Sequence, residues 1–241
     1  VLLRLPTTLT EALECVAEGA VPVGGATLVW AEWQRDGFPA QAVSLRSLPQ
    51  ANVLGRETVG AAVVLHRIDE RVPDVLRLAA QQVGTGAVRR TATVGGNLVG
   101  SALRCLLPAA LVLDARAMVL APEGAYETDL GTLVAKHPML LGLRWTEPTA
   151  SGYRKFAGEA GGPPPAVVAT AVHTSEAGPP RLRIAVRAGY QVHSESVICD
   201  GGAEQVADAL VRTPIGDLLP QPVLAAVREE VADVLRRANA N

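Results

Sequence analysis

Twice in this chain a valine and a pair of glycines interrupt an apolar stretch: PVGGAT at Pro22–Thr27 and ATVGGN at Ala92–Asn97. Each pair stops a strand or helix from running on, so each fixes a place where the backbone changes direction. For any single pair, a tight turn or a bulge is the commoner outcome. The other outcome is a loop where backbone approaches a partner too closely to carry a Cβ. Consecutive N–H groups then converge on an anion. A diphosphate, charged and rich in acceptor oxygens, fits between two such loops, with Thr27, Thr93 and Asn97 adding polar side chains. Spacing alone does not choose between the two.

The rest of the chain reads as alternating helices and strands. PTTLTEALECVAEGA predicts a helix: Thr8 and Glu11 have capping-box spacing, apolar residues recur at Leu9, Ala12, Leu13 and Val16, and Gly19 stops it. VPVGGATLVW is a short strand broken by Gly24-Gly25, and Ala42–Leu48 a second strand. NVLGRETVGAAVVL is a hairpin turning near Gly55-Arg56. Val72–Val83 is helical with Pro73 near its first turn, LLPAALVLDA is a buried helix, and RAMVLAP and Leu140–Pro148 are strands. Composition shifts around Thr149–Tyr153. Beyond it, PAVVATAVHT and PRLRIAVRAGY are strands joined by SEAGPP. In the second, Leu182, Ile184 and Val186 alternate with Arg181, Arg183 and Arg187, which predicts one buried and one solvated face. Two helices close the chain, the last with a stripe of Val223, Val227, Val231 and Leu235. The class is α+β, in two domains: residues 1–148, with subdomains of about 1–50 and 51–148, and residues 149–241.

Much chemistry is excluded. A net charge of -2 and 3 % aromatic residues argue against nucleic acid as a partner. Cys15, Cys105 and Cys199 are far apart, which excludes a zinc ribbon, a disulfide framework or an iron–sulfur cluster held by this chain alone, and suits a reducing compartment. The four histidines, His66, His137, His173 and His193, are scattered and read as surface or strand residues, so no metal site is expected. No apolar run approaches transmembrane length, no membrane partner is expected, and the reading is cytoplasmic. There is no G-x-x-x-x-G-K-S/T, no G-x-S-x-G, and no G-x-G-x-x-G after a strand. No residue stands out as a catalytic acid, base or nucleophile.

VPVGGATLVW followed by AVSLRSLPQANVLG resembles the start of the FAD-binding flavoprotein medium subunit of molybdenum hydroxylases, of the carbon monoxide dehydrogenase and xanthine dehydrogenase type. That family shows A-G-G-x-S-L, a strand, and an L-x-x-I-P-E-L turn. RRTATVGGN with the following LVLDA is similar to the family's R-x-x-G-T-I-G-G-N signature, the helix after it, and L-D-A. GYRKF with AVVATAV resembles the start of its C-terminal domain. The resemblance covers most of the chain, in order. It implies a PCMH-type, vanillyl-alcohol-oxidase-like FAD-binding fold with two α/β subdomains, followed by a small antiparallel sheet packed with helices.

Residue by residue, the resemblance implies that Val23, Gly24, Gly25, Ala26, Thr27 and Leu28 wrap the FAD diphosphate from one side. Thr93, Val94, Gly95, Gly96 and Asn97 approach it from the other, with backbone amides carrying most of the binding. Leu140 falls where the family packs an apolar side chain on the cofactor, and Lys155 where it has a flavin-proximal lysine. Lys155 is one of two lysines in an arginine-rich chain; without the resemblance it reads equally as a solvated surface residue. The implied function is an FAD-dependent oxidoreductase subunit whose partners are a 2Fe–2S chain, a molybdenum-cofactor chain and a small-molecule substrate or acceptor. A stand-alone oxidase or cyclase of a biosynthetic pathway, and a scaffold that has lost FAD, use the same core.

The departures lie in one loop. LVGSALRCLLP after G-G-N lacks the aspartate with which the family holds a sugar hydroxyl; Cys105 or Leu106 stands there. Arg104 brings a positive charge that pairs with a phosphate or faces solvent. Glu159 stands where an arginine follows the family's lysine. A lost sugar contact costs on the order of 1–3 kcal/mol of binding.

Overall fold

The computed structural model describes residues 1–158, 162–175 and 178–240, so Glu159 and part of the SEAGPP connection lie outside the described residues. The chain forms two compact units, residues 1–72, 83–106 and 115–145 in the first, and 73–82, 107–114 and 146–241 in the second.

The first unit begins with β1 (Leu2–Arg4), α1 (Leu9–Ala17), β2 (Val21–Pro22), α2 (Val29–Asp36) and β3 (Gln41–Val43), the strands forming a parallel sheet in the order β1-β3-β2. The capping box of α1 is formed as the spacing predicts. Thr8 Oγ1 accepts from the Glu11 amide at 3.2 Å, and the Glu11 carboxylate takes the Thr7 and Thr8 amides at 2.7 and 3.4 Å. The glycine that stops the helix, Gly19, has φ +76°. Two strands expected from apolar runs form but stop early, at Pro22 and at Val43. Beyond Val43 the chain turns into a 3-10 helix at Leu45–Ser47. The Asn52 side-chain amide gathers the carbonyls of Arg46 and Leu48 at 3.1 and 2.9 Å and holds the turn closed. The apolar TLVW segment enters α2, which buries none of its residues. Trp30 and Trp33 pack edge-on against Phe38 on the surface instead.

The hairpin β4 (Leu54–Gly55) and β5 (Thr58–Gly60) follows at its expected turn. The chain then makes α3 (Asp74–Gln81), α4 (Gly86–Arg89) and α5 (Leu107–Val112) before β6 (Arg116–Ala121), β7 (Gly124–Thr128), α6 (Leu130–Lys136) and β8 (Met139–Arg144). Strands β4 to β8 form one antiparallel sheet in the order β4-β5-β8-β6-β7. Ala12 and Cys15 of α1 join Val43, Leu120, Met139 and Leu141 in a core that draws on both sheets of this unit.

The second unit is built on an antiparallel sheet of β9 (Ala150–Lys155), β10 (Val167–Ser175), β11 (Gly178–Ala188) and β12 (Gln191–Ile198), in the order β12-β11-β10-β9. On one face lie α7 (Ala203–Val211), α8 (Pro214–Leu218) and α9 (Gln221–Ala240). Leu182, Ile184 and Val186 of β11 meet the predicted Val223, Val227, Val231 and Leu235 stripe of α9 there. The other face is solvated only towards its Arg181 end, short of the expectation. The helices α3 and α5, drawn from the first half of the sequence, cover it. Ser151 Oγ accepts from the Val75 amide at 3.1 Å, Arg183 pairs with Asp114 at 2.7 Å, and His173 Nε2 donates to the Val112 carbonyl at 2.8 Å. Arg187, read as solvated, is 2 % exposed and donates to the Pro165 carbonyl at 3.1 Å. Burial on this face pushes the His173 imidazole below its ordinary value, against the Val112 hydrogen bond, which acts the other way.

Candidate functional site

The two glycine loops meet within the first unit. Strand β2 ends in a proline, and the Val23 amide makes the last contact with β3, donating to Val43 O at 2.8 Å. From there the chain leaves the sheet. Among the described residues, the amides of Gly24, Gly25, Ala26, Thr27 and Leu28 donate to no acceptor in the chain. Ala26, at the middle of this run, has φ +54°, a left-handed conformation that is uncommon for a residue with a Cβ. The half-exposed segment then feeds the N-terminus of α2. Free amides around a left-handed residue form a concave nest, and a helix N-terminus adds positive potential to it. That is a place for an oxyanion.

The glycines themselves answer to the facing loop. A Cβ on Gly24 would overlap the Thr93 hydroxyl, and one on Gly25 would overlap the Thr91 carbonyl. The close approach inferred from the paired glycines is therefore to the other loop, Gly24 against the Thr93 side chain and Gly25 against the Thr91 backbone.

The second loop differs from the first in its donors. Thr93 bridges to Val64, the Val94 amide donates to Val63 O at 3.0 Å, and the Gly95 amide to Ala61 O at 2.9 Å. The Gly96 amide donates to Thr93 Oγ1 at 3.1 Å and the Asn97 amide to Thr93 O at 2.9 Å. The amides of Val94 to Asn97 are taken, so the continuous run of free amides in the pair of loops is the one at 24–28. What the second loop leaves open is space: a Cβ on Gly96 would meet only Thr93 Oγ1, at 3.2 Å. The chain then widens into a π-helical turn, Gly96–Gly100. Asn97 is 6 % exposed, and its Oδ1 accepts from the buried Leu106 amide at 2.9 Å, which anchors the far end of the altered loop.

The remaining named residues are placed as follows. Leu140 is buried in β8, on the face opposite Met139 and Leu141. Lys155 belongs to the second unit, where its Nζ donates to Gln82 O at 3.0 Å and closes the C-terminus of α3. No group of histidine, cysteine or acidic side chains among the described residues is arranged to hold a metal ion. None of Cys15, Cys105 and Cys199 is in a disulfide. Sequence reasoning missed Ala61 and Val63, whose carbonyls occupy the second loop, and it passed over the contact between Arg104 and His137. Neither lies in a motif, and only the fold brings them together.

Residues 3–141 match the family model described as the FAD binding domain in molybdopterin dehydrogenase. The chain belongs to that family. Its fold is that of a carbon monoxide dehydrogenase chain from Oligotropha carboxidovorans, with a TM-score of 0.74 at 17 % identity over 99 % of this chain and 97 % of that one. Quinoline 2-oxidoreductase from Pseudomonas putida 86 gives a TM-score of 0.70 at 19 % identity, with the same coverage of both chains. No curated protein sequence matches the chain. FAD is the cofactor of the family, and the run of free amides at the α2 N-terminus fits its anionic diphosphate. No helix among the described residues is long and apolar enough to cross a membrane.

Proposed function

We propose that this chain is the FAD-holding component of a molybdenum hydroxylase-type oxidoreductase, and that Val23–Leu28 and Thr93–Asn97 cradle the FAD diphosphate. The observation that carries the site is the run of five unpartnered amides from Gly24 to Leu28, bent through a left-handed Ala26. Thr93 and Gly96 line the other side, Thr93 with a hydroxyl and Gly96 with bare Cα. Leu140 supplies apolar packing within the same unit, and Lys155 is assigned as the flavin-proximal cation. FAD, when bound, supplies the redox chemistry; the chain supplies position and electrostatics. The free amides neutralise phosphate charge, and Asn97 holds the 98–106 loop in place.

Residues 1–148 are assigned as the FAD-binding domain and 149–241 as the C-terminal domain of the flavoprotein subunit. The partners proposed are a 2Fe–2S chain and a molybdenum-cofactor chain, with a small-molecule electron acceptor, in the cytoplasm. The visible spectrum of the purified chain tests this reading. Flavin bands, with FAD released on denaturation, are expected. A colourless protein that cannot be reconstituted with FAD refutes it. Co-purification with iron–sulfur and molybdenum chains separates a complex subunit from a stand-alone flavoenzyme.

A further inference from the structure

Among the described residues, besides Ala26 and Asp114, two with side chains have left-handed backbones: Arg104 at φ +40° and His137 at φ +51°. Both lie in the first unit, and their side chains meet, with Arg104 Nη2 3.2 Å from His137 Nε2. A guanidinium carries only donors, so His137 Nε2 offers its lone pair and the ring is neutral in this contact. Arg104 has no carboxylate within ion-pair distance among the described residues, and its Nε is buried without a hydrogen-bond partner.

This is a cation without its counter-charge. Nε and Nη2 form one edge of the guanidinium fork, the edge that takes two oxygens of an oxyanion side by side. Here one nitrogen of that edge has no acceptor and the other faces a second nitrogen base. The exposed imidazole of His137 covers the edge and stands where an anion would sit. Left-handed residues with side chains recur at ligand sites and at helix ends, and His137 is the C-cap of α6. Both flanks are anchored. The Leu106 amide is fixed by Asn97 Oδ1, and the Arg104 amide donates to Ser101 O at 3.2 Å. His137 closes α6 and leads into β8.

We propose that Arg104 and His137 form a phosphate-binding site. A guanidinium edge supplies two donors and a reoriented or protonated imidazole a third, which matches a tetrahedral oxyanion better than a planar carboxylate. The phosphate comes either from FAD itself, which rests on the cradle reading above, or from a separate phosphorylated ligand, which does not.

Calorimetric titration of the full chain with inorganic phosphate and with pyrophosphate, before and after FAD loading, tests the proposal. Binding is expected in the flavin-free protein, weakened at least about tenfold in Arg104→Gly. Glycine relieves the left-handed backbone, so this variant is expected to melt no lower than wild type; Arg104→Asn, which also tolerates that conformation, is the second variant. Binding that disappears on FAD loading assigns the site to the FAD diphosphate, and binding that persists assigns it to a separate phosphorylated ligand. Phosphate and pyrophosphate affinities unchanged in both variants, or absent in wild type, overturn the proposal. Flavin retained with Arg104-independent phosphate binding removes this inference and leaves the FAD reading standing. Arg104-dependent binding in a chain that cannot hold FAD does the reverse.

Discussion

Gly25 has no room for one more carbon, because the Thr91 carbonyl lies where its Cβ would be. Gly96 is less crowded, a Cβ there meeting only the Thr93 hydroxyl at 3.2 Å, and the contrast separates two jobs that look alike in the sequence. Gly24 and Gly25 let one loop seat on the other, while Gly96 leaves open space beside it. Gly96→Val is therefore expected to abolish flavin retention while the melting temperature stays close to wild type, checked by flavin absorbance and thermal melting of the same sample. Asn97 has a structural task as well as its place in the cradle. Removing its side chain with Asn97→Ala strands the buried Leu106 amide and is expected to cost about 1–3 kcal/mol, read from chemical denaturation. The glycine pairs were legible because few other residues permit such contacts. That Gly24 and Gly25 press on the second loop, and that Ala61 and Val63 occupy that loop's amides, was not legible. Those partners are remote in sequence and their carbonyls carry no side-chain signature.

At the scale of elements, local signals held where the structure is locally determined. Thr8 and Glu11 cap α1 through reciprocal bonds within one turn, so Thr8→Ala is expected to destabilise the protein by about 1 kcal/mol in equilibrium unfolding. The α9 stripe faces a core, and its period survives intact. Helix α2 has no buried face, so nothing in its pattern distinguishes Val29–Asp36 from a strand. The strand expected through Leu48 is cut short by a side chain outside it, since Asn52 holds the turn at Leu45–Ser47. His173 shows the same limit. The sequence placed it on a strand, but not under α5. Its folded-state value lies below the ordinary histidine value of about 6.5. As pH falls through that window the unfolded chain takes up a proton that the folded chain refuses, so stability is lost. Replacing it by His173→Gln, which cannot titrate, is expected to flatten this acid limb in melting temperatures measured from pH 7.5 down to about 5. Glu230, raised by burial, slopes the other way: its contribution falls as pH rises above the ordinary carboxylate range.

For the whole molecule, the order of elements made the fold class and the family legible, because each loop motif sits between the right neighbours. The covering of the second sheet's far face was not legible. Alternation in β11 predicts a solvated arginine face, yet α3 and α5 return from residues 73–82 and 107–114 to cover it, burying Arg187 and leaving Arg181 exposed. The chain is made from its N-terminus, so these two helices leave the ribosome well before the strands they cover. Through that interval their apolar residues, Val75, Leu76, Ala109 and Val112 among them, have no sheet to pack on. The nascent chain therefore carries uncovered apolar helices until β9 to β12 arrive, the kind of transiently exposed surface that makes a folding intermediate prone to aggregate.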